Sequence, residues 1–482
     1  MSIVIHDTRS RSVVPLETRE EGRVFMYVCG PTVYNYIHIG NARTFVWFDF
    51  IRRYLTYRDY DVTYVLNYTD VDDKIIERAR VEGLPPDGIA AKYSRAFEDD
   101  MVALGVKPPD VLSRATDHIE DMVEAVEGLI ERGFAYEADG NVFFDVAKFP
   151  KYGKLSGRTL DDMRAGERVE PHASKRNPLD FALWKSAKEG EPSWSSPWGP
   201  GRPGWHIECS VMSTKYLGMG FDVHGGATDL IFPHHENEIA QAEALTGTEP
   251  FVSYWLHAGL VQMESEKMSK SLGNFVLARE VVERYPREAA RYWALMGSYR
   301  TQVVFSEDAL NDALQSYERW RTFLHAARHA LGDGATRPSV PRRPLSAGPP
   351  DGPGGEFIAR FIDELDDDFN SAGAFAAIHD LVTSANKRIE GAQRGDPGDR
   401  AALEGYVAAF TELTSVLGFG FEVDESSTEL LAALVEYLLE LREEARAEKQ
   451  FDRADAIRAR LIDMGVAIED TPGGTRWRLS GG

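Results

Sequence analysis

A strand-like run that leads into a helix start is the feature that most constrains this chain. The apolar run is Arg23-Val-Phe-Met-Tyr-Val-Cys29, and the motif His38-Ile-Gly-Asn41 follows it. The next segment, from Thr44 to Tyr54, has the apolar spacing of a buried helix, which places the motif at a helix N-terminus. Free backbone N–H groups and the positive end of the helix dipole favour phosphate at such a position. The pattern predicts a nucleotide site in an α/β fold.

A second short motif, Lys267-Met-Ser-Lys-Ser271, sets two lysines three residues apart beside hydroxyl groups and Gly273. A loop of this composition can fold over a polyphosphate, and its cations would stabilise the charge that develops as pyrophosphate leaves. Alone, each motif is explained as well by packing or by a solvated loop. Together, in this order and about 230 residues apart, they resemble the paired signatures of the class I aminoacyl-tRNA synthetases.

Longer phrases make the resemblance more specific. They are Tyr27-Val-Cys-Gly-Pro-Thr-Val-Tyr34, Asn67-Tyr-Thr-Asp-Val-Asp-Asp-Lys74, Gly201-Arg-Pro-Gly-Trp-His-Ile-Glu-Cys-Ser210, Val223-His-Gly-Gly-Ala-Thr-Asp229 and Phe232-Pro-His-His-Glu-Asn-Glu238. The chain resembles the cysteinyl-tRNA synthetase family nearly from end to end. It departs at Asn41, where the family motif has a second histidine. Asparagine keeps a hydrogen-bond donor but carries no proton charge, so it serves phosphate contact and not an imidazolium role.

The resemblance implies an α/β fold: a class I synthetase Rossmann-like catalytic domain split by an insertion, then a helical bundle and a small α+β C-terminal domain. The expected boundaries are 1–118 for the first half of the catalytic domain, 119–200 for the connective insertion, 201–262 for the second half, 263–308 for the loop of the second motif with the stem-contact region, 309–424 for the bundle, and 425–482 for the anticodon-binding domain. Residues 333–355 hold six prolines and almost no apolar residue, which predicts a linker or disordered loop.

The family's functional residues transfer to matching positions. ATP binding is expected from Pro31, His38, Gly40, Asn41, Lys267, Ser269 and Lys270. Within that set, catalytic charge stabilisation is expected from His38, Asn41, Lys267 and Lys270. Substrate contacts are expected from Gly30, Thr69, Trp205, His224 and Asp229. Trp205 has the equal alternative of a core aromatic, whereas the two glycines after His224 favour a ligand contact over core burial.

Only two cysteines occur in the 482 residues, which excludes a disulfide framework. His234 and Glu238 are four apart in a stretch of helical composition, so both are expected on one face, with His235 turned about 100° away. The resemblance adds Cys29 and Cys209 to them as zinc ligands. Two thiolates, an imidazole and a carboxylate suit tetrahedral zinc. Binding of the substrate sulfur would then require five-coordination or a loosened Glu238, and the sequence leaves both open.

The implied reaction is the ATP-dependent activation of L-cysteine, with Mg²⁺ accompanying ATP, followed by transfer to the 3′ end of tRNA(Cys). Neither step needs a protein nucleophile, so positioning and charge stabilisation supply the rate. Two rivals share parts of the pattern. A ligase that transfers activated cysteine to a small amine would make the tail from about 425 superfluous, and a binding protein without catalysis would have no use for both motifs. In the tail, Trp477 is expected either to stack on unpaired bases or to fill the small domain's core.

The formal net charge of −23 opposes binding of a polyanion. Arginines outnumber lysines 40 to 14, and the acidic excess is spread along the chain. This pattern is typical of proteins from salt-rich cytoplasm, where a Debye length of about 3 Å screens repulsion. No apolar run approaches the ~18 residues of a membrane span, and the N-terminus lacks the pattern of a signal peptide. The expected location is the cytoplasm, without membrane partners.

Overall fold

The computed structural model of the chain describes residues 2–160, 174–263, 276–332, 341–348, 350–421, 425–464, 466–471 and 474–479. The chain forms two compact units, Met1–Gly420 and Phe421–Gly482. None of the helices in the described ranges is long and apolar enough to cross a membrane.

Strands and helices alternate in the first part of unit 1, as the sequence predicted. In chain order the elements are β1 (Val4–Asp7), β2 (Ser12–Pro15), β3 (Arg23–Val28), α1 (Ile39–Tyr57), β4 (Asp61–Tyr68), α2 (Asp73–Glu82), α3 (Pro86–Ala103) and β5 (Val111–Arg114). From Val24 to Val28 every residue of β3 is buried, because helices cover both faces of a parallel sheet. Helix α1 is apolar around most of its circumference, which matches its place in the interior.

The next segment inserts a small antiparallel sheet. Its elements are α4 (Ile119–Glu131), β6 (Ala135–Ala138), β7 (Asn141–Phe144), β8 (Phe181–Ser186) and β9 (Gly201–Pro203), with the strands in sequential order. Aromatic side chains such as Phe144 and Trp184 share one apolar core with Val65 of β4 and with α4. The insertion therefore packs onto the nucleotide fold through a continuous core.

The parallel sheet resumes after the insertion. The elements are α5 (Trp205–Leu217), β10 (Phe221–Ala227), α6 (Glu236–Thr246), β11 (Val252–Ala258) and β12 (Val261–Met263). The large sheet has the order β11-β10-β3-β4-β5, and all its neighbouring pairs are parallel. The two halves of the sheet thus meet where β10 pairs with β3, and the carboxyl ends of these two strands form one edge. Such an edge is the usual ligand site of a doubly wound sheet.

Helices dominate the rest of unit 1. They are α7 (Ala278–Arg284), α8 (Arg287–Leu295), α9 (Glu307–Leu331), α10 (Gly355–Asp366), α11 (Ser371–Gln393) and α12 (Pro397–Val416), with strand β13 (Val303–Phe305) pairing parallel to β12. Arg343, in the described part of the predicted linker 333–355, contacts the rest of unit 1. The backbone N–H of Arg343 donates to Tyr57 at 2.6 Å, and its guanidinium pairs with Glu412. Because Arg343 meets a buried carboxylate on α12, these contacts favour a linker over a disordered loop, the two alternatives that the sequence left for this segment.

Unit 2 consists of α13 (Glu425–Ala447), α14 (Phe451–Asp463) and the antiparallel hairpin of β14 (Val466–Thr471) and β15 (Gly474–Leu479). Its apolar core contains Leu439, Leu461 and Val466, and half-buried Trp477 packs against it. Of the two roles expected for Trp477, core packing is the one that the fold provides.

Candidate active site

The four side chains of the predicted metal set converge at the carboxyl edge of β3 and β10. Cys29 directly follows β3, and Cys209 lies on α5. The other two, His234 and Glu238, come from the turn before α6 and from its first turn. One ligand atom from each of the four lies within 4.8 Å of all the others.

Several separations between ligand atoms in this cluster match those around a tetrahedrally coordinated ion. The Sγ atoms of Cys29 and Cys209 are 3.6 Å apart, and Cys29 Sγ is 3.6 Å from Glu238 Oε1. His234 Nε2 is 3.0 Å from the same carboxylate oxygen. Bond lengths of about 2.0–2.3 Å to tetrahedral zinc give ligand separations of about 3.3–3.8 Å. The donor set and the two sulfur distances therefore fit a zinc ion, whereas the distance between His234 and Glu238 is the shorter one of a hydrogen bond.

Burial disfavours negative charge on the acidic groups of the cluster. Glu238 is 0% exposed, its pKa is raised well above the usual value by that burial, and its Oε2 makes no hydrogen bond to any described residue. Burial also raises the pKa of the Cys29 thiol. Burial is the largest influence on the pKa of Cys209 and pushes it upward, but the hydrogen bond to Cys29 and the charge and hydrogen bond of His234 together outweigh it and lower the pKa to about 7. Within the described residues no Lys or Arg forms a hydrogen bond or ion pair with these groups, so a bound divalent cation would supply the missing positive charge.

Two further histidines reach the cluster. Cys29, His224, His235 and Glu238 form an overlapping set with the same compactness. At His224 the sequence favoured a ligand contact over burial in the core. The side chain is in fact buried, with 0% exposure, because β10 lies inside the sheet, so the expectation against burial is wrong. Its Nε2 lies 3.4 Å from Cys29 Sγ. Its predicted contact with substrate stays a prediction.

His235 was expected on a different face from the ligands, and that expectation is wrong. The backbone of the turn Ile231–His235 departs from helical angles at Phe232, but His235 itself has helical angles. At the spacing i, i+3 it lies beside Glu238, as His234 does at i, i+4. His235 Nε2 lies 3.9 Å from Glu238 Oε1, and its Nδ1 is 2.8 Å from His257.

The first nucleotide motif lies at the start of α1, as predicted. His38 is the N-cap: its Nδ1 accepts from the Asn41 N–H at 3.1 Å, and Asn41 Oδ1 accepts from the His38 N–H at 3.4 Å. This reciprocal capping fixes the first helical turn. A Cβ at Gly40 would lie 2.9 Å from the His38 ring, so only glycine fits there without a shift.

Lys267, Ser269 and Lys270 of the second motif lie outside the described residues. The described residues on the two sides of that segment contact other parts of unit 1. On the entry side β12 pairs with β13. On the exit side, the Ile39 N–H donates to Val276 at 2.9 Å, and the Ala278 N–H donates to Ile37 at 3.0 Å.

Three protein-family models match successive parts of the chain. The model of the tRNA synthetases class I (C) catalytic domain matches residues 15–315, the DALR domain matches 360–422, and the cysteinyl-tRNA ligase anticodon binding domain matches 428–478. The chain belongs to the cysteinyl-tRNA synthetase family. The family assignment also accounts for the tail, which a small-molecule ligase would not need.

Relatives within the family match over nearly their whole length. The cysteine–tRNA ligase of Moorella thermoacetica is 51% identical over 96% of this chain and 96% of that protein. The one from Pelotomaculum thermopropionicum is 48% identical over 99% of this chain and 100% of its own. Among solved structures, Mycobacterium tuberculosis methionyl-tRNA synthetase in complex with methionyl-adenylate aligns with a TM-score of 0.60 at 17% identity, over 82% of this chain and 90% of that one. This likeness shows the class I synthetase fold.

The substrate residues implied by the family line the same edge in different ways. A Cβ at Gly30 would lie 1.7 Å from the Asn67 carbonyl oxygen, so the backbone can pass there only as glycine. Trp205 is half-buried and stacks on the ring of His234, with centroids 4.1 Å apart. Asp229 is exposed on the turn after β10, and Pro31 is half-buried.

Thr69 is buried, and its hydroxyl donates to Glu208 at 2.7 Å. Burial raises the pKa of Glu208 well above its usual value, and its Oε1 makes no hydrogen bond. Sequence reasoning missed this carboxyl, although it directly precedes Cys209. The available signal was a charged residue on the face of a helix that is otherwise apolar or small.

Proposed function

We propose that the protein activates L-cysteine with ATP as cysteinyl-adenylate and transfers the cysteinyl group to the 3′ end of tRNA(Cys). The observation that carries the proposal is the buried Cys29, Cys209, His234 and Glu238 cluster at the sheet edge. One connection, from β3 to α1, carries both a thiol of that cluster and the phosphate-binding motif at His38. Family membership and the match of all three domain models add support.

We propose that these four residues hold zinc and that the site selects cysteine through its sulfur. When bound, zinc attracts a thiolate strongly and a neutral hydroxyl weakly, which supplies discrimination against serine. A pocket without the ion would distinguish near-isosteres by only about 1–3 kcal/mol. The first set of donors is favoured over the overlapping one because it holds two sulfurs, which zinc prefers, where the other holds one.

The remaining roles follow from position. Trp205, on the His234 ring, would cover the amino acid, and Asp229 would meet its ammonium group or the ribose. Thr69, Gly30 and His224 would shape the pocket wall. Because they lie at a capped helix start, His38, Gly40 and Asn41 would receive the phosphates, next to Pro31.

Lys267, Ser269 and Lys270 would stabilise the departing pyrophosphate, with Mg²⁺ on ATP. Unit 2 would contact the anticodon, in line with the domain model that it matches. We propose the cytoplasm as the place of action, where tRNA and ATP meet. Adaptation to high salt is a further proposal, supported by the net charge of −23; retained aminoacylation in molar KCl would bear it out.

The test is cysteine-dependent ATP–pyrophosphate exchange with the zinc-loaded protein, followed by transfer of labelled cysteine to tRNA. We expect exchange with cysteine, little with serine, and charging of tRNA(Cys). Exchange without transfer would contradict the tRNA step and favour a small-molecule acceptor. Equal exchange with serine would contradict recognition through sulfur, and no exchange would contradict the proposed activity as a whole.

A further inference from the structure

The second ring nitrogen of His234 has a partner that lies outside the proposed ligand set. His234 directs Nε2 toward Glu238 Oε1, at 3.0 Å, and its Nδ1 lies 2.9 Å from Nδ1 of His206. Two imidazole nitrogens at this distance share one proton, so one of them donates and the other accepts. The contact therefore links the protonation pattern of the two rings.

Helix α5 presents a continuous face to the ligand-bearing segment. His206, Cys209 and Ser210 are spaced i, i+3 and i+4, so they lie on one side of the helix. Cys209 supplies a sulfur to the cluster, and the Ser210 hydroxyl donates to the Glu238 carbonyl oxygen at 3.2 Å. His206 meets His234 from the first turn. Each of the three positions thus contacts one part of the proposed metal site.

We propose that His206 is a positioning residue that fixes the tautomer and ring orientation of His234 for metal binding. The inference rests on the proposed zinc site. A histidine that binds a metal through Nε2 carries its proton on Nδ1, and that proton needs an acceptor. His206 Nδ1 accepts it when the proton of His206 is on Nε2.

His234 is then held from two directions by consecutive residues. Trp205 stacks on the face of its ring with an interplanar angle of 22°, and His206 bonds its edge. Stacking alone allows the ring to flip by about 180° about its Cβ–Cγ bond, which keeps the ring plane and exchanges Nδ1 with Cδ2. The hydrogen bond selects one of these two orientations. His206 is itself held by an edge contact to Phe181, with centroids 5.6 Å apart.

The test compares two replacements of His206. His206→Phe keeps the ring and its contact with Phe181 but removes the acceptor. His206→Asn places an amide oxygen close to the position of Nδ1. Zinc affinity is measured by chelator competition, and the visible absorption of the cobalt-substituted protein reports ligand geometry. A suitable control is His118→Phe, because His118 is a buried histidine that bonds Asp121 and Tyr216 away from the cluster.

We expect zinc affinity to fall about 10–100-fold in His206→Phe, the loss typical when the hydrogen-bond partner of a metal-bound histidine is removed. The cobalt spectrum should change as well. His206→Asn should recover most of the affinity, and His118→Phe should match the wild type. Equal affinity of wild type and His206→Phe, or equal loss in the Phe and Asn variants, would overturn the proposal. If His206→Phe does not fold, the same comparison is made between His206→Leu and His206→Asn. Failure of the wild type to bind zinc would instead contradict the proposed metal site itself.

Discussion

Two groups of buried polar side chains in unit 1 differ in how the charge of a buried carboxyl is compensated. One surrounds Arg291 and Asp49, between α1 and α8. The guanidinium is 0% exposed and donates to Asp49 at 2.7 Å and to the Leu417 carbonyl at 3.0 Å. Asp49 also accepts from Arg53 at 2.8 Å. The other group is the metal cluster, where a carboxyl and two thiols face one another and no Lys or Arg of the described chain forms a hydrogen bond or ion pair with them.

The pKa directions of the two carboxyls express the difference. Burial raises the pKa of Asp49, but the charges of Arg291 and Arg53 outweigh it and the net shift is downward. Burial raises the pKa of Glu238 and no cation reverses it. A buried carboxylate with its own guanidinium is a structural element, whereas a buried carboxylate among thiols is suited to bind a cation from outside the chain.

Removal of a sulfur from the metal cluster should have the largest effect. In Cys209→Ser we expect zinc content to fall from one per chain to near zero after dialysis against a chelator. The binding free energy of a four-ligand zinc site is about 10–16 kcal/mol, so loss of one thiolate should weaken zinc binding about 100-fold or more. Metal analysis and cysteine-dependent pyrophosphate exchange are the measurements.

The control for that variant is Thr214→Ser, on the same helix, which keeps the hydroxyl that donates to Ser210 at 2.7 Å. It should retain zinc. Full zinc content in Cys209→Ser would show that the sulfur is not a ligand.

Removal of the guanidinium should affect stability and leave the metal site intact. Arg291→Met leaves Asp49 buried with one charged partner fewer, which costs about 3–5 kcal/mol of unfolding free energy. Urea unfolding and metal analysis should show a lower midpoint with one zinc still bound per folded chain. Arg284→Met, which breaks an exposed pair with Glu307, should leave the midpoint unchanged. Loss of zinc together with stability would mean that the two groups are coupled.

Acidity should weaken the Arg291 group in a defined direction. Because the pKa of Asp49 is lower in the folded than in the unfolded chain, its stabilisation is present above about pH 4 and is lost as the pH falls through the folded value. The stability difference between wild type and Asp49→Asn should be constant above about pH 5 and should shrink in more acidic solution. A difference that grows on acidification would contradict the assignment.

Substitution of His235 should have the smallest effect on zinc affinity. His235→Gln removes a ring that bonds His257 and no proposed ligand, so zinc affinity should change less than about threefold, whereas His234→Gln should lose at least the ~10-fold typical of disturbed ligands. Chelator competition on both variants distinguishes the overlapping donor sets. The reverse order of effects would assign the metal to Cys29, His224, His235 and Glu238.

Local patterns were sufficient to predict the elements that hold the site. The apolar run before Cys29 is a buried strand and His38 begins a helix, because strand and cap signals depend on neighbouring residues. The convergence of Cys29 and Cys209 was predicted only through the family resemblance, since 180 residues separate them.

Other features depend on which elements meet in space. The burial of His224 follows from the place of β10 inside the sheet, which no local pattern specifies. The hydrogen bond of His235 with His257 of β11 likewise joins two segments that no local pattern pairs. His206 lies next to the singled-out Trp205, yet its role emerges only when α5 faces the segment of His234.

The hydrogen bond between Ile39 and Val276 also bears on how the protein is made. It joins residues 237 positions apart, and closing so long a loop in an unstructured chain costs about 5 kcal/mol of entropy. The intervening sheet removes most of that cost by bringing the two segments together. A ribosome must therefore translate beyond Val276, the last residue of this contact, before the nucleotide motif near the N-terminus is complete. During synthesis, the earliest part of the site to be translated waits for a distant part of the same chain.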